Sequence, residues 1–409
     1  MKPHGPIPPG FAADDDGMLL IGGDRADSLA DVTGDTPLFA YDSAMLTARV
    51  AEWRAAMPAE VQLHFAMKAN PYTPLLTFMA RLVDGFDVAS GGELKIAIDS
   101  GMAAARISFA GPGKRDRELE AAIVAGATLN LESAGEAARA LSIAARIGVT
   151  PRLAVRVNPD FDLKGSGMKM GGGAKPFGVD APEVPALVRR LIATGADWQG
   201  FHIFAGSQAL DANAIANTQA QTVALAAWLA DEIGATPPLV NLGGGMGVPY
   251  FPGDKAVDAM AVGAALGETL AGRADVLAGS RFAMELGRWL VAEAGVYLTR
   301  VVDRKTSHGE TFLVTDGGLH HQLAASGNFG TVIRRNYPIA VAHAFGAEPA
   351  ETVSVVGCLC TPLDRLGDQV GLPYADVGDL IAIFQAGAYG ASASPAAFLG
   401  QGPAREMLV

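Results

Sequence analysis

Three features of this sequence could do chemistry together. A lysine, Lys68, ends the apolar run "HFAMKAN"; a glycine triplet lies in "LGGGMG"; and Glu285 and Arg288 stand three positions apart in "ELGR". A glycine run leaves backbone N–H groups bare, which makes a cradle for an anion such as phosphate. A guanidinium adds a charge-assisted hydrogen bond to the same phosphate, and a carboxylate can hold a protonated ring nitrogen in the same way. A lysine amine condenses with an aldehyde to give an imine. Phosphate, aldehyde and pyridine nitrogen together describe pyridoxal 5'-phosphate. Taken singly, each signal has a plainer reading. Lys68 closes a strand at the surface, the glycines make a turn, and Glu285 and Arg288 form a salt bridge at a strand end.

The elements that must position these residues are short. Apolar runs of strand length recur as "LHFAMK", "GFDVAS", "ISFAG", "LNLES", "LAVRVN", "WQGFHIFAG", "LVNLGGG" and "RFAMELGR". Between them lie helical patterns such as "PLLTFMARLV", "RELEAAIVAG" and "SAGEAARALSIAARIG". Strand and helix alternate about eight times over residues 60 to 290, which predicts an α/β protein with a (β/α)8 barrel. An open doubly wound sheet is the structural alternative. Lys68, Asp87, Ser90, Glu132, Arg156, Asn158, Ser207, Gly243, Gly244, Gly245, Glu285 and Arg288 all fall at or just past strand ends. In a barrel those ends converge on one mouth, where active sites sit. Along the first strand the period of two puts His64, Ala66 and Lys68 on one face, which points Lys68 into that mouth.

After residue 292 the pattern turns β-rich without long helices, in "VYLTRVVDRK", "TFLVTDGG", "ETVSVVGCLC" and "DLIAIFQAGAY". The expected organisation is N-terminal strands in 1–42 that pair with the β domain, a cofactor-binding barrel in 43–292, and an antiparallel β domain in 293–409. One long irregular stretch, residues 160 to 180, has the length of a lid or binding loop.

Composition narrows the function classes. The 409 residues carry a net charge of −12, without the basic face that nucleic-acid binding needs. The two cysteines, Cys358 and Cys360, are too few for a disulfide framework or a four-ligand zinc site, so no metal is expected. No signal peptide and no apolar run of about 18 residues is present, so a cytoplasmic protein without membrane contact is expected.

The chain resembles the fold type III, alanine-racemase-barrel family of pyridoxal-phosphate decarboxylases, which includes diaminopimelate and ornithine decarboxylases. The resemblance runs nearly end to end, through "TPLFAYD", "HFAMKANP", "GFDVASGGEL", "LNLESAGE", "VRVNPD", "GFHIFAGSQ", "NLGGGMG", "ELGR", "TDGG", "GCLCTPLD" and "FQAGAYGAS" in the family's order. It implies that Lys68 holds the cofactor's aldehyde and that Glu285 pairs with the pyridine nitrogen. Ser207, Gly244, Gly245, Arg288 and Tyr389 then look like phosphate contacts, and Asp87 and Arg156 like supports for the lysine and ring. Cys360 matches the cysteine that returns a proton to the substrate carbon after CO2 leaves; Cys358 reads as packing. In the family Cys360 and Asp364 come from the neighbouring subunit, so the resemblance implies a homodimer with shared sites.

Departures from the family bear on the substrate. Phe204 stands where many members have a histidine stacked on the cofactor; it can stack but cannot titrate. His202, on the same strand face one step deeper, is either a substrate contact or a core histidine with a backbone partner. Thr361 replaces the usual Asp or Glu that binds a substrate's far amine, and Ala324 replaces an arginine for a far carboxylate; Thr361 and Asp364, with His202, are the candidate substrate-binding residues. Leu286 replaces a proline, a minor change. A buried far charge needs a counter-charge, so neither diaminopimelate nor ornithine is the expected substrate. The motifs are more similar to a subgroup tied to exosortase and secondary-metabolism clusters, one member of which decarboxylates an aminoacyl group on an acyl-carrier protein. The expectation is an α-decarboxylase of an amino acid or carrier-tethered aminoacyl group. The rivals are diaminopimelate decarboxylase proper, a racemase on the same barrel, and an inactive cofactor-binding homologue.

Overall fold

Eight strands alternate polar with apolar residues, although both sets are buried. The computed structural model describes residues 1–327 and 335–409. Its strands β1 (Val61–Ala66), β2 (Gly85–Val88), β3 (Ile107–Phe109), β4 (Thr128–Leu131), β5 (Arg152–Asn158), β6 (Asp197–Ile203), β7 (Leu239–Asn241) and β8 (Arg281–Leu286) run parallel in chain order. The β8–β1 pairing closes them into a barrel. Phe65, Phe86, Phe109 and Phe282 are fully buried. Alternating with them, His64, Asp87, Ser108 and Glu285 are buried as well, as are Asn130, Arg156, His202 and Asn241. A period of two sends one set toward the helices and the other into the barrel. The interior is therefore polar, and its groups need partners there.

Local sequence explains how the connections start. Ser90 and Ser133 each follow a barrel strand and cap the next helix, accepting from the N–H of Glu93 at 3.1 Å and of Glu136 at 3.0 Å. Such caps satisfy an otherwise orphaned donor of the first turn. Within β6, Gly200 takes φ +111°, and a Cβ there would lie 1.9 Å from the Leu239 carbonyl oxygen. Only glycine lets β6 and β7 approach at that point.

The chain divides into two units. The barrel unit comprises residues 50–247 and 256–287, and the β-rich unit residues 1–49, 248–255 and 288–409. The β-rich unit is built on the 13-residue strand Gly295–Ser307, which pairs antiparallel with Leu38–Tyr41, Leu380–Ile383 and Glu310–Thr315. Two pairings are parallel: Glu310–Thr315 with Glu351–Val356, and Arg405–Leu408 with Leu38–Tyr41. The sheet expected to be antiparallel is thus mixed. Parallel neighbours need long crossovers, which the short turn signals of the sequence do not reveal.

Among the described residues, no helix is long and apolar enough to cross a membrane. No group of three or more metal-ligating side chains occurs among them either.

Candidate active site

Lys68 does not lie on β1, contrary to the alternation argument. The strand stops at Ala66, and Met67–Ala69 form a 3-10 turn that carries the lysine past the barrel rim. Its Nζ stands 3.9 Å from Glu285 Oε1 and 5.7 Å from the centre of the Phe204 ring. Glu285, at the end of β8, is buried, and its Oε2 accepts from His202 Nε2 at 2.9 Å. Burial alone would raise the Glu285 carboxyl. The His202 hydrogen bond and the Lys68 charge outweigh it and hold the group below the usual carboxylate range. His202 is thus bound to Glu285, not to a backbone group.

A second imidazole–carboxylate pair lies beside the first. His64 is the cross-strand neighbour of Glu285, and its Nδ1 is 3.3 Å from Asp87 Oδ2. Burial opposes a charge on His64, but Asp87 and Glu285 overcome this and raise its pKa. Among the described residues neither Asp87 oxygen makes a hydrogen bond, although both are buried. Lys68, Asp87, Arg156, His202, Phe204 and Glu285 line one cavity of about 230 Å3.

Glu132, at the end of β4, ties the rim together. Its Oε1 accepts from Arg156 Nη1 at 2.9 Å and from the Gly111 N–H at 2.6 Å, and its Oε2 from the Gly178 N–H at 2.7 Å. Burial would raise this carboxyl, but the Arg156 charge and hydrogen bond lower it overall. The irregular stretch after β5 is laid along the strand ends. Met168–Lys169 pair antiparallel with Gly206–Ser207, and Val179–Asp180 pair parallel with Val157–Asn158. This sets Ser207 in a strand pair and brings Met170 and Phe177 into the cavity lining. The Phe177 ring lies 4.9 Å from the Arg156 guanidinium carbon.

The glycine triplet passes between strand ends where no side chain fits. A Cβ on Gly244 would lie 2.1 Å from the Glu285 carbonyl oxygen, and Gly245 holds φ +122°. Asn241 Oδ1 accepts the Gly243 N–H at 2.9 Å, fixing where the run begins.

The β-rich unit holds the other expected residues. Arg288 Nη1 donates to the Tyr250 hydroxyl at 2.9 Å, and its guanidinium carbon stands 4.7 Å from the Tyr389 ring centre. Tyr389 sits at φ +60°, a left-handed conformation rare for a bulky residue. Cys360 is exposed and Cys358 half-buried, both as free thiols. They lie in the connection between strands Glu351–Val356 and Arg365–Leu372. Asp364 braces that connection: Oδ1 accepts from the Leu319 N–H at 2.6 Å and Oδ2 from the Leu359 N–H at 2.9 Å. The Thr361 hydroxyl accepts from the Leu363 N–H at 3.3 Å.

Three features were not singled out for the site from the sequence. His64 had a detectable signal, four residues before Lys68 on the inward face. The buried Lys114–Glu136 ion pair, at 2.8 Å, joins residues that read as a polar loop and a helix start. In "LHHQL", His320 and His321 are buried with ring centres 3.8 Å apart. His321 Nδ1 lies 3.0 Å from the Tyr297 hydroxyl, and its Nε2 donates to the Gly402 carbonyl at 3.0 Å. Burial first, and His320 beside it, push His321 down to about 4.

A polar barrel whose mouth joins a lysine, a buried carboxylate and a side-chain-free glycine run is the kind of site that carries a pyridoxal cofactor. Residues 43–292 match the family described as pyridoxal-dependent decarboxylase, pyridoxal binding domain, and the chain belongs to that family. It is 36% identical to the L-glutamyl-[BtrI acyl-carrier protein] decarboxylase of Niallia circulans, over 91% of this chain and 89% of the relative. It is 31% identical to the diaminopimelate decarboxylase of Archaeoglobus fulgidus, over 92% and 88%. The crystal structure of diaminopimelate decarboxylase from M. jannaschii in complex with L-lysine superposes with a TM-score of 0.87 at 26% identity, covering 98% of this chain and 92% of that one. The enzyme is accordingly a pyridoxal-phosphate-dependent carboxy-lyase. Its own groups fit the cofactor: the buried Asp87 oxygens, without hydrogen bonds among the described residues, line the same cavity as Lys68 and Glu285.

Proposed function

We propose that this enzyme removes the α-carboxylate from an aminoacyl group tethered to an acyl-carrier protein. The observation that carries the reading is the charge pairing around the barrel cavity. Of its charged lining residues, Lys68 faces Glu285, Arg156 is bound to Glu132, and Asp87 faces His64. The rest of the described lining includes Val88, Pro112, Met170, Phe177 and Phe204. Among the described residues, the lining of this cavity thus offers no spare counter-charge for the far amine or carboxylate of a free diamino acid. An unmatched charge there costs several kcal/mol, on the order of 3–5. A tethered substrate has no such charge at its far end. The 36% identity to a decarboxylase named for a carrier-bound glutamyl group supports the same reading.

Pyridoxal phosphate supplies, when bound, an aldehyde that captures amines and a ring that accepts the electron pair left by departing CO2. Lys68 Nζ is the amine that holds the cofactor and later releases the product. Glu285, kept ionised, keeps the ring nitrogen protonated. Asp87 and Arg156 orient the lysine and ring. Ser207, the N–H groups of Gly244 and Gly245, Arg288 and Tyr389 bind the phosphate. Met170, Phe177 and Phe204 keep water from the reacting carbon. Cys360 Sγ gives that carbon the proton that decarboxylation consumes. Asp364 and Thr361 act through the Cys360 turn, since their oxygens already hold backbone N–H groups. A cytoplasmic homodimer with shared sites completes the reading.

The test is mass spectrometry of candidate substrates after incubation with the holoenzyme. A 44-dalton loss from a carrier-bound aminoacyl group, with free amino acids unchanged, is the expected outcome (a mass fixed by the formula of CO2). Fast turnover of free diaminopimelate, with the carrier-bound group untouched, sinks the reading in favour of diaminopimelate decarboxylase. That alternative is favoured by relatives at 30–33% identity that bear its name. Epimerisation at Cα without CO2 release would point to the racemase.

A further inference from the structure

The two inward aromatic positions at the end of β6 divide their work. Phe204 lines the cavity beside Lys68, and its ring can neither titrate nor donate a hydrogen bond. His202, two residues earlier, holds the imidazole that remains on this face. It lies in register between Arg156 of β5 and Asn241 of β7, and only 3% of its surface is exposed. A carboxylate can only accept, so the 2.9 Å contact to Glu285 requires a hydrogen on His202 Nε2. The opposite ring nitrogen, Nδ1, is buried and has no hydrogen-bond partner among the described residues. Glu285 therefore has one oxygen tied back into the barrel and the other, Oε1, on the Lys68 side.

We propose that His202 is a positioning residue that donates from Nε2 to Glu285 and thereby fixes that carboxylate, ionised and in one orientation, against the pyridine nitrogen of the cofactor. The role rests on the assignment of Lys68 and Glu285 to the cofactor. A carboxylate at the end of a side chain with three rotatable bonds is held poorly by one contact, and the electron-accepting power of the ring depends on where that charge stands. The anchor lies inside the barrel, so it leaves Oε1 available. The charged and titratable groups around this pair are Lys68, Arg156, His64 and Asp87, with the Asn241 amide on the adjoining strand.

The test compares His202→Phe with His202→Gln, which keeps a donor, each alone and in a Glu285→Gln background. Cofactor affinity is read by titrating apoenzyme with pyridoxal phosphate, and the visible band of the lysine-bound cofactor is followed against pH. His202→Phe should weaken cofactor binding roughly tenfold to a hundredfold, the loss expected for a hydrogen bond to a charged group. It should also shift the pH profile of the band and lower kcat more than it raises KM. His202→Gln should restore most of this, and in Glu285→Gln the Phe substitution should add little, because the two residues act as one unit. Unchanged affinity and pH profile in His202→Phe, or an equal loss in both backgrounds, overturns the proposal and leaves His202 a packing residue. If His202→Phe does not fold, His202→Leu takes its place in both backgrounds, with the same outcomes supporting or overturning the proposal. A wild-type protein without the visible band would instead refute the assignment of Lys68.

Discussion

In the barrel unit several buried titratable groups stand in facing pairs: His202 with Glu285, His64 with Asp87, Arg156 with Glu132, Lys114 with Glu136. In the β-rich unit burial lowers the pKa of both His320 and His321, and for His321 it outweighs the nearby Asp316 and Asp364. The buried Asp364 there is met by backbone N–H groups and not by a cation. The difference matches the tasks assigned to the two units. Charge fixed in advance can stabilise charge that develops in a reaction without reorganising during it. A thiol that must hand over a proton gains more from a rigid, accurately placed turn. Removing one residue from each unit should therefore fail in a different way.

The largest effect is expected from Lys68→Ala, which should abolish both the visible cofactor band and CO2 release, as absorbance and trapped CO2 report. Cys360→Ala should keep the band while turnover falls about 10²–10⁴-fold, the range for losing a positioned proton donor. Retained turnover would break the contrast between the two units. Next comes acid sensitivity in the β-rich unit. His321 binds its proton less readily folded than unfolded, so its contribution is whole above pH 6.5 and fades as pH falls toward about 4. The loss should reach at most roughly 3 kcal/mol. Denaturant melts at pH 7 and pH 5 should show it, and His321→Gln should flatten the slope between them. The smallest effect belongs to Asp364→Asn. Replacing one carboxylate acceptor by an amide donor faces it with a backbone N–H, at a cost of about 1–3 kcal/mol. A lowered melting temperature with a smaller drop in turnover than Cys360→Ala is the expected signature.

Much of this was legible before the fold was known, for reasons particular residues make plain. Glu285, Arg156 and Asp87 lie at ends of apolar runs, and a parallel barrel collects such ends at one mouth. Gly244 could be read as a bare-backbone position because three glycines follow a strand end beside the other motifs, although a turn is their plainer reading alone. Lys68 lines the mouth as read, but not through side-chain alternation, which holds only while the pleat continues; the chain turns after Ala66. The pairings of Glu132 with Gly111 and Gly178, and of His202 with Glu285, join positions far apart in sequence. No local period encodes them. The parallel pairings of the β-rich sheet were hidden for the same reason.

Glu132 has a consequence for how such an enzyme can change over generations. One side chain fastens the turn after β3, the arginine of β5 and the far end of the long segment that follows it. An inserted or deleted residue in either loop would tug on the other through this shared fastening. Drift in substrate preference is then easier by exchanging side chains such as Met170 and Phe177 than by remodelling loop lengths.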